Sequence, residues 1–125
     1  MRARDRLGRP VPMDSPDAVP DPPSVPLSEA LELAQSLAAD GRWFSAHDVL
    51  EEAWKADRDG PWQGLAQVCV GMTHLQRGNL VGGARLLRRG AATLAAHPDH
   101  AELARRAQQA AAEAEAGTAL PGLAL

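Results

Sequence analysis

The sequence predicts an all-α fold, a compact bundle of about five helices built from two helical hairpins plus a C-terminal helix. Apolar residues recur at helical spacing from Leu27 to Ala116, and glycines and prolines fall between those stretches. No convincing strand pattern interrupts them. A chain of 125 residues is long enough for one domain around a single core.

The N-terminal segment differs in composition from the rest of the chain. Seven of the ten prolines lie in residues 1–26, which contain little apolar mass. Such a segment cannot offset the entropy lost on ordering. We therefore expect residues 1–26 to be a disordered Pro-rich leader, residues 27–117 to form the helical bundle domain and residues 118–125 to be a flexible tail.

Glycine and proline divide the bundle into five predicted helices. These helices cover about 27–39, 43–56, 61–77, 80–96 and 99–116. Gly41 separates the helices of the first hairpin and Gly78 those of the second. Asp99 and Glu102 have the spacing of a capping box at the start of the last helix.

Two segments repeat one pattern at an offset of 37 residues: GRWFSAHDVLEEA at 41–53 and GNLVGGARLLRRG at 78–90. Each begins with glycine, has a small residue five positions later and a leucine four positions after that. A small residue at that place lets the two helices of a hairpin approach closely. The repeat therefore predicts two similar, stacked helical hairpins.

The aromatic residues all fall within residues 43–62, and there is no tyrosine. Large rings contribute strongly to core packing, so we expect the core to form around this window. Trp54 is predicted to anchor the second and third helices beside one apolar face. That face consists of Leu50, Val68, Met72 and Leu75. Cys69, the single cysteine, is expected to be a small core residue.

The third predicted helix has almost no formal charge. Glycine recurs every seven residues, at Gly64 and Gly71 within the helix and at Gly78 just after its end. Glycine inside a helix costs about 1 kcal/mol relative to alanine. We therefore expect these glycines to form a groove in which another backbone comes close. A helix with so little charge is also expected to be surrounded on most sides.

Polar residues follow the margins of the second and third predicted helices. His47 and Glu51 lie one turn apart on the second, and antiparallel packing would bring them to a stripe of the third that contains Gln67 and His74. Buried polar groups need hydrogen-bond partners. The sequence therefore predicts a cluster of candidate ligand- or metal-binding residues with supporting polar residues. The candidates are His47, Glu51 and His74, and the supporting residues are Gln63, Gln67 and Asn79.

These segments resemble a known family. FSAHDVLEEAWK at 44–55, followed by QGLAQVCVGMTHLQRGNLVGGARLL at 63–87, is similar to the bacterial and archaeal helical family called domain of unknown function 309. The matching positions are His47, Glu51, Trp54, Gln63, Gly64, Gln67, His74, Gly78 and Asn79. Asp48 departs from the family, which usually has glutamate there. The resemblance covers about residues 30–97; it implies a compact helical bundle and no particular activity.

Two classes of function remain open. In the first, the polar cluster is a structural network inside an interaction or scaffold domain. In the second, His47, Glu51 and His74 hold a small ligand or a metal such as zinc, iron or manganese, with an open position for water that would permit hydrolysis. The sequence does not decide whether the protein is an enzyme, and it identifies no cofactor.

Charge and segment composition limit the partners. The net charge of −3 argues against a general polyanion binder, and no aromatic residue lies between the arginines at positions 77, 85, 88 and 89. The chain has no apolar signal-peptide region and no run long enough for a membrane span. We expect a soluble cytoplasmic protein that binds another protein or a second copy of itself rather than nucleic acid or a membrane.

Overall fold

The computed structural model describes residues 2–125 and, within them, five α-helices and one small two-stranded sheet. The helices are α1 (Leu27–Ala39), α2 (Trp43–Ala56), α3 (Trp62–Gln76), α4 (Leu80–Leu94) and α5 (Ala101–Glu115). Each helix packs against the next one along the chain. The predicted all-α bundle is confirmed, and every helix begins and ends within two residues of its predicted bounds.

The first helix of each hairpin ends in the same way. Gly41 and Gly78 have positive φ angles of 75° and 83°, a region that favours glycine. The amide of Gly41 donates to the carbonyl of Ala38, and that of Gly78 donates to the carbonyl of Leu75. The next amide in each hairpin reaches back to the carbonyl five residues earlier, which completes a Schellman motif. The predicted repeat is therefore present as two hairpins with matching turns.

Helices α3 and α4 approach each other along a line of glycines. A Cβ on Gly90 would lie 3.0 Å from the carbonyl oxygen of Gly64, and one on Gly83 would lie 3.0 Å from that of Gly71. These distances leave no room for a side chain between the two backbones. The groove predicted from Gly64 and Gly71 is therefore filled by α4, which carries its own glycines at the facing positions.

The core contains apolar residues from all five helices, including Leu50, Val68, Met72 and Leu75 as predicted. The predicted anchor, Trp54, is only half-buried, and the guanidinium of Arg58 lies 3.9 Å from its ring centroid. Trp43, at the start of α2, is the deeply buried ring, with 5% of its surface exposed. The reason is that Trp54 lies on the margin of the α2 helical wheel, whereas Trp43 follows the turn and points into the bundle.

The capping box expected at the last helix does not form. Residues Pro98–His100 make a short 3₁₀ turn, and α5 begins at Ala101 with no side-chain cap. Proline fixes its own φ close to helical values, so the helical path starts at Pro98. Glu102 instead pairs with Arg105, with 2.5 Å between Oε1 and Nη2.

Two short strands, β1 (Arg2–Arg4) and β2 (Pro10–Pro12), form an antiparallel hairpin that the sequence did not predict. Each strand is three residues long, which is too short to produce a period of two. The Asp5 carboxylate holds the connecting turn because Oδ1 accepts from the amides of Leu7 and Arg9, each at 2.9 Å. The predicted disorder of residues 1–26 in solution stays a prediction.

The C-terminal residues also contact the bundle. Pro121 is buried, and Leu123 and Leu125 pack against the core. Gln35 Nε2 on α1 donates to the backbone oxygen of Leu125 at 3.3 Å. The predicted flexibility of residues 118–125 is a statement about motion and stays a prediction.

Candidate functional site

Four of the six predicted site residues line one cavity, which lies between α2, α3 and α4 and which we call the α2–α4 cavity. Its volume is about 170 Å³. Its lining consists of His47, Glu51, Trp54, Gln63, Ala66, Gln67, Val70 and Leu86. The cavity opens to solvent, since 43% of the Glu51 side chain is exposed.

Residues from α2 form the polar side of this cavity. His47 Nε2 lies 2.9 Å from Glu51 Oε2, a distance suited to a hydrogen bond within one helical turn. The ring of Phe44 also contacts the imidazole, with 5.4 Å between the two centroids. These contacts fix the direction of the His47 ring.

The second ring nitrogen of His47 has weaker surroundings. His47 Nδ1 is buried, and its nearest carboxylate oxygen, Asp48 Oδ1, is 3.4 Å away. That separation is at the limit of a hydrogen bond and its alignment is poor, so among residues 2–125 this atom makes no hydrogen bond. The imidazole is therefore held through its Nε2 atom, by the contact with Glu51.

Residues from α3 form the floor. Gln67 is half-buried, and its Oε1 accepts a hydrogen bond of 2.8 Å from Thr93 Oγ1 on α4. Gln63 is exposed at the rim one turn earlier. The apolar part of the floor comes from Ala66 and Val70, and α4 adds Leu86. Gln63 and Gln67 therefore line the same cavity as His47 and Glu51, but the hydrogen bond of Gln67 goes to Thr93 on α4; the predicted pairing of these glutamines with the α2 margin stays a prediction.

The structure places His74 and Asn79 elsewhere. His74 Nδ1 lies 3.1 Å from Asn79 Nδ2, and Asn79 caps α4 by accepting from the amide of Gly82 at 2.9 Å. Gln76 Nε2 donates to the carbonyl of Gly41 at 2.8 Å, which sets the register between α3 and the start of α2. In that register His74 lies about one turn, roughly 5 Å, beyond the level of His47.

The positions of these side chains bear on metal binding. Within residues 2–125, no group of three or more His, Cys, Asp or Glu side chains is arranged to hold a metal ion. The candidate ligands His47 and Glu51 lie together, whereas His74 bonds to Asn79 outside the cavity. The arrangement therefore provides a hydrogen-bonded pair and two amides around an apolar hollow.

Sequence reasoning missed four contributors to the site: Ala66, Val70 and Leu86 in the lining, and Thr93, which bonds to Gln67. Ala66 and Val70 lie on α3 close to Gln67 in the sequence, where helical spacing alone does not assign them to a cavity. Leu86 and Thr93 belong to α4, and their positions depend on how α4 sits against α3. The glycines at seven-residue spacing in both helices were a usable signal for that register.

A second cavity lies next to the first. Its volume is about 520 Å³, and it lies between residues 21–26 and the helices α1 and α2. It shares Glu51 with the α2–α4 cavity and also contains Asp21, Asp48 and Glu52, against a single cation, Lys55. The approach to Glu51 is therefore acidic.

Fold and site together define a small all-α domain of two stacked helical hairpins with one further helix. The model of the family described as Domain of unknown function (DUF309) matches residues 31–86. This match spans α1 from its fifth residue to the middle of α4 and includes every residue of the cavity lining. The resemblance noted in the sequence is confirmed over that range.

The other comparisons give no relatives. No curated protein and no solved structure matches the chain. Of the helices in residues 2–125, none has the length and apolarity that crossing a membrane requires.

Proposed function

We propose that this protein is an interaction domain whose α2–α4 cavity receives one cationic side chain, lysine or arginine, from a partner polypeptide. The observation that carries the proposal is the size and lining of the cavity. At about 170 Å³ it is smaller than the roughly 300–1,000 Å³ usual for small-molecule and cofactor pockets. A single inserted side chain matches that volume.

The lining favours a side chain with an apolar stem and a donor at its end. Trp54, Ala66, Val70 and Leu86 supply apolar surface for the stem. Among the described lining residues, Glu51 carries the only fixed charge, and its carboxylate accepts hydrogen bonds. Lysine and arginine combine an aliphatic stem with a cationic donor. Arginine also stacks on tryptophan, and Arg58 already makes this contact with Trp54, 3.9 Å from its ring centroid, so the incoming stem would use the part of Trp54 that lines the cavity.

The surroundings of the cavity add to this preference. Asp21 and Asp48 lie in the adjoining cavity, which shares Glu51, whereas Glu52 in that cavity is paired with Lys55. Acidic groups at the entrance attract a cation over a longer range and raise its local concentration. Anchor side chains held in pockets of this kind contribute a large share of the affinity in protein interfaces.

The alternative of a metal or hydrolytic site at His47, Glu51 and His74 has less support. It needs His74 to turn away from Asn79 and to reach across about one helical turn. In contrast, the cationic side chain uses only groups that already face the cavity. A rise in melting temperature on adding Zn²⁺, lost in both His47→Ala and His74→Ala, would restore the metal alternative.

The test is an NMR titration with capped arginine, N-acetyl-arginine methylamide, against its neutral isostere, capped citrulline. We expect capped arginine to bind with a dissociation constant of about 1 mM, which corresponds to roughly −4 kcal/mol. The shifts should centre on the Trp54 indole and on the side-chain amides of Gln63 and Gln67. Capped citrulline should bind more weakly because it lacks the charge.

Two variants on α2 distinguish binding inside the cavity from a general attraction of cations to the acidic residues of that helix. Glu51→Gln should weaken capped arginine by about fivefold, since a partly exposed charge pair contributes about 1 kcal/mol or less. Glu52→Gln is the matched control, because Glu52 pairs with Lys55 at 3.2 Å outside the cavity. Equal weakening by both variants, or equal binding of arginine and citrulline, would exclude the proposal.

A further inference from the structure

The N-terminal residues 2–20, which we call the strap, contact the end of the bundle where α1 turns into α2. Gly8 lies flat against Phe44: a Cβ on Gly8 would have three ring carbons of Phe44 closer than 3.0 Å. The guanidinium of Arg4 lies 5.1 Å from the same ring's centroid. Phe44 is therefore the platform on which the strap rests.

Arginines hold the rest of the strap in place. Arg77 Nε on the bundle donates to the carbonyl of Leu7 at 2.7 Å, and Arg42 Nη2 donates to that of Pro20 at 3.1 Å. Arg6 on the strap donates to the carbonyl of Asp40. These hydrogen bonds join guanidinium groups to backbone oxygens at or near the surface, where water competes for both partners.

The strap adds little to the core. Gly8 is the only buried residue among residues 3–20, and the buried apolar residues of the bundle begin at Ala30. The strap can therefore leave the surface without exposing the core. Its own sheet consists of three residue pairs, which is too small to be stable alone in water.

A continuous set of contacts joins the strap to the α2–α4 cavity. Phe44 lies under Gly8 on one side and beside the His47 ring on the other, with 5.4 Å between ring centroids. His47 in turn bonds to Glu51. Phe44 and His47 are both on α2, one turn from each other, and both are only partly buried.

We propose that the strap regulates the α2–α4 cavity by holding Phe44 against His47 and thereby fixing the His47–Glu51 pair that meets the incoming cation. When the strap is docked, the pair has one orientation and the cavity is preformed. When the strap leaves, Phe44 loses the surface that covers it, and the imidazole gains freedom to turn. The regulatory effect on binding rests on the function proposed above, whereas the effect on His47 does not.

The experiment compares Gly8→Val with Gly122→Val. Valine at Gly8 would overlap the Phe44 ring and would need a φ of 76°, which is strained for a β-branched residue. Gly122 has no atom within 4 Å of an added Cβ, so it is the matched control. We expect Gly8→Val to move the amide signals of residues 2–20 to unstructured positions while the bundle keeps its melting temperature.

Two readouts follow from release of the strap. The carbon-bound ring protons of His47 should shift because the fixed ring current of Phe44 is lost, whether or not any ligand is present. Capped arginine should bind at least about fivefold more weakly, which is the lower end of usual coupling between sites. Gly122→Val should change neither readout.

The outcomes are distinguishable. If wild-type protein fails to bind capped arginine, the proposed function fails, and the His47 signals alone decide whether the strap positions that ring. The inference is overturned if the strap is unstructured in the wild type or stays docked in Gly8→Val. It is also overturned if the bundle unfolds in Gly8→Val, or if the strap is released with no change at His47.

Discussion

At the scale of residues, the two tryptophans of α2 differ in what surrounds them. Trp43 has 5% of its surface exposed and belongs to the core, whereas Trp54 is half-buried and lines the α2–α4 cavity. Arg58 covers part of the exposed surface of Trp54. Trp43 therefore stabilises the fold, whereas Trp54 contacts Arg58 and also presents surface to the cavity.

This difference predicts unequal effects of truncation. Trp43→Ala should lower the free energy of unfolding by about 3–5 kcal/mol, as for other buried large rings. Trp54→Ala should lower it by about 1 kcal/mol, because much of its surface stays in water. Urea unfolding of both variants measures the two losses. Equal losses would place both rings in the core.

The cysteine offers a second test at this scale. Cys69 is fully buried, and that burial raises the pKa of its thiol. The thiolate is the reactive form, so iodoacetamide should label native protein only through transient opening of the fold. The labelling rate should rise steeply with urea. A native rate equal to that of the unfolded chain would show that α3 is exposed on this side.

Residue patterns predicted part of the site. His47, Glu51, Gln63 and Gln67 were assigned to one place because each lies on the margin of its helix, and the structure finds all four in one cavity. A helical wheel shows on which face of its helix a residue lies, but it does not show which residues of the neighbouring helix lie opposite. For that reason the sequence could not place His74, whose level depends on the packing register.

At the scale of elements, the glycines of α3 and α4 determine how the second hairpin packs. Gly90 faces the backbone of Gly64, and Gly83 faces that of Gly71. The close approach sets the height of α4 against α3. It therefore also sets where Leu86 lines the cavity and where Thr93 bonds to Gln67.

Gly90→Ala tests this packing. Alanine has the higher helix propensity by about 1 kcal/mol, but here its Cβ would lie 3.0 Å from Gly64 O and 3.0 Å from Val68 N. We expect a net loss of about 1–2 kcal/mol from overpacking. Gly122→Ala, which meets no neighbour, should be close to neutral. A Gly90→Ala variant more stable than wild type would contradict the close approach.

The start of α4 provides another element-scale prediction. Asn79 Oδ1 accepts from the amide of Gly82, so Asn79→Ala should cost about 1 kcal/mol of stability. Asn79→Asp keeps an acceptor at the cap and should recover most of that loss. Thermal unfolding of the three proteins measures both effects. If Asn79→Asp is as unstable as Asn79→Ala, the contact between Asn79 and His74 matters more than the cap.

Helix bounds were well predicted from the sequence because glycine and proline act locally. The path between helices was predicted less well. The capping box at Asp99 and Glu102 gave way to a 3₁₀ turn that starts at Pro98, and the β1–β2 hairpin is held by contacts of Asp5 that no periodicity reveals. Side-chain contacts in irregular segments have no repeating pattern from which to predict them.

At the scale of the whole molecule, one ion pair joins the last two helices. Two nitrogens of the Arg88 guanidinium on α4 donate to the two carboxylate oxygens of Glu115 on α5. These hydrogen bonds hold the pKa of Glu115 below its ordinary value of 4.5. A depressed carboxyl pKa stabilises the folded state above that value. This stabilisation is lost as the pH falls from 4.5 through the lower pKa of the folded state, because Glu115 then takes up a proton.

Acid unfolding tests this pair. Glu115→Gln should make the melting temperature depend less on pH below about 4.5 and should leave the slope at higher pH unchanged. Glu113→Gln is the control, because Glu113 makes no ion pair within residues 3–125. Identical pH profiles for Glu115→Gln and wild type would show that the pair contributes nothing to stability.

Intermolecular nuclear Overhauser effects show whether the α2–α4 cavity holds a cationic side chain by its stem. With saturating capped arginine, the β, γ and δ protons of the ligand should show contacts to the methyl groups of Val70 and Leu86 and to the Trp54 ring, all of which line the cavity. Two results would contradict binding in the α2–α4 cavity. One is contacts only to the adjoining cavity beside residues 21–26, and the other is a ligand that shifts the signals of Glu51 but shows no contacts to the cavity lining.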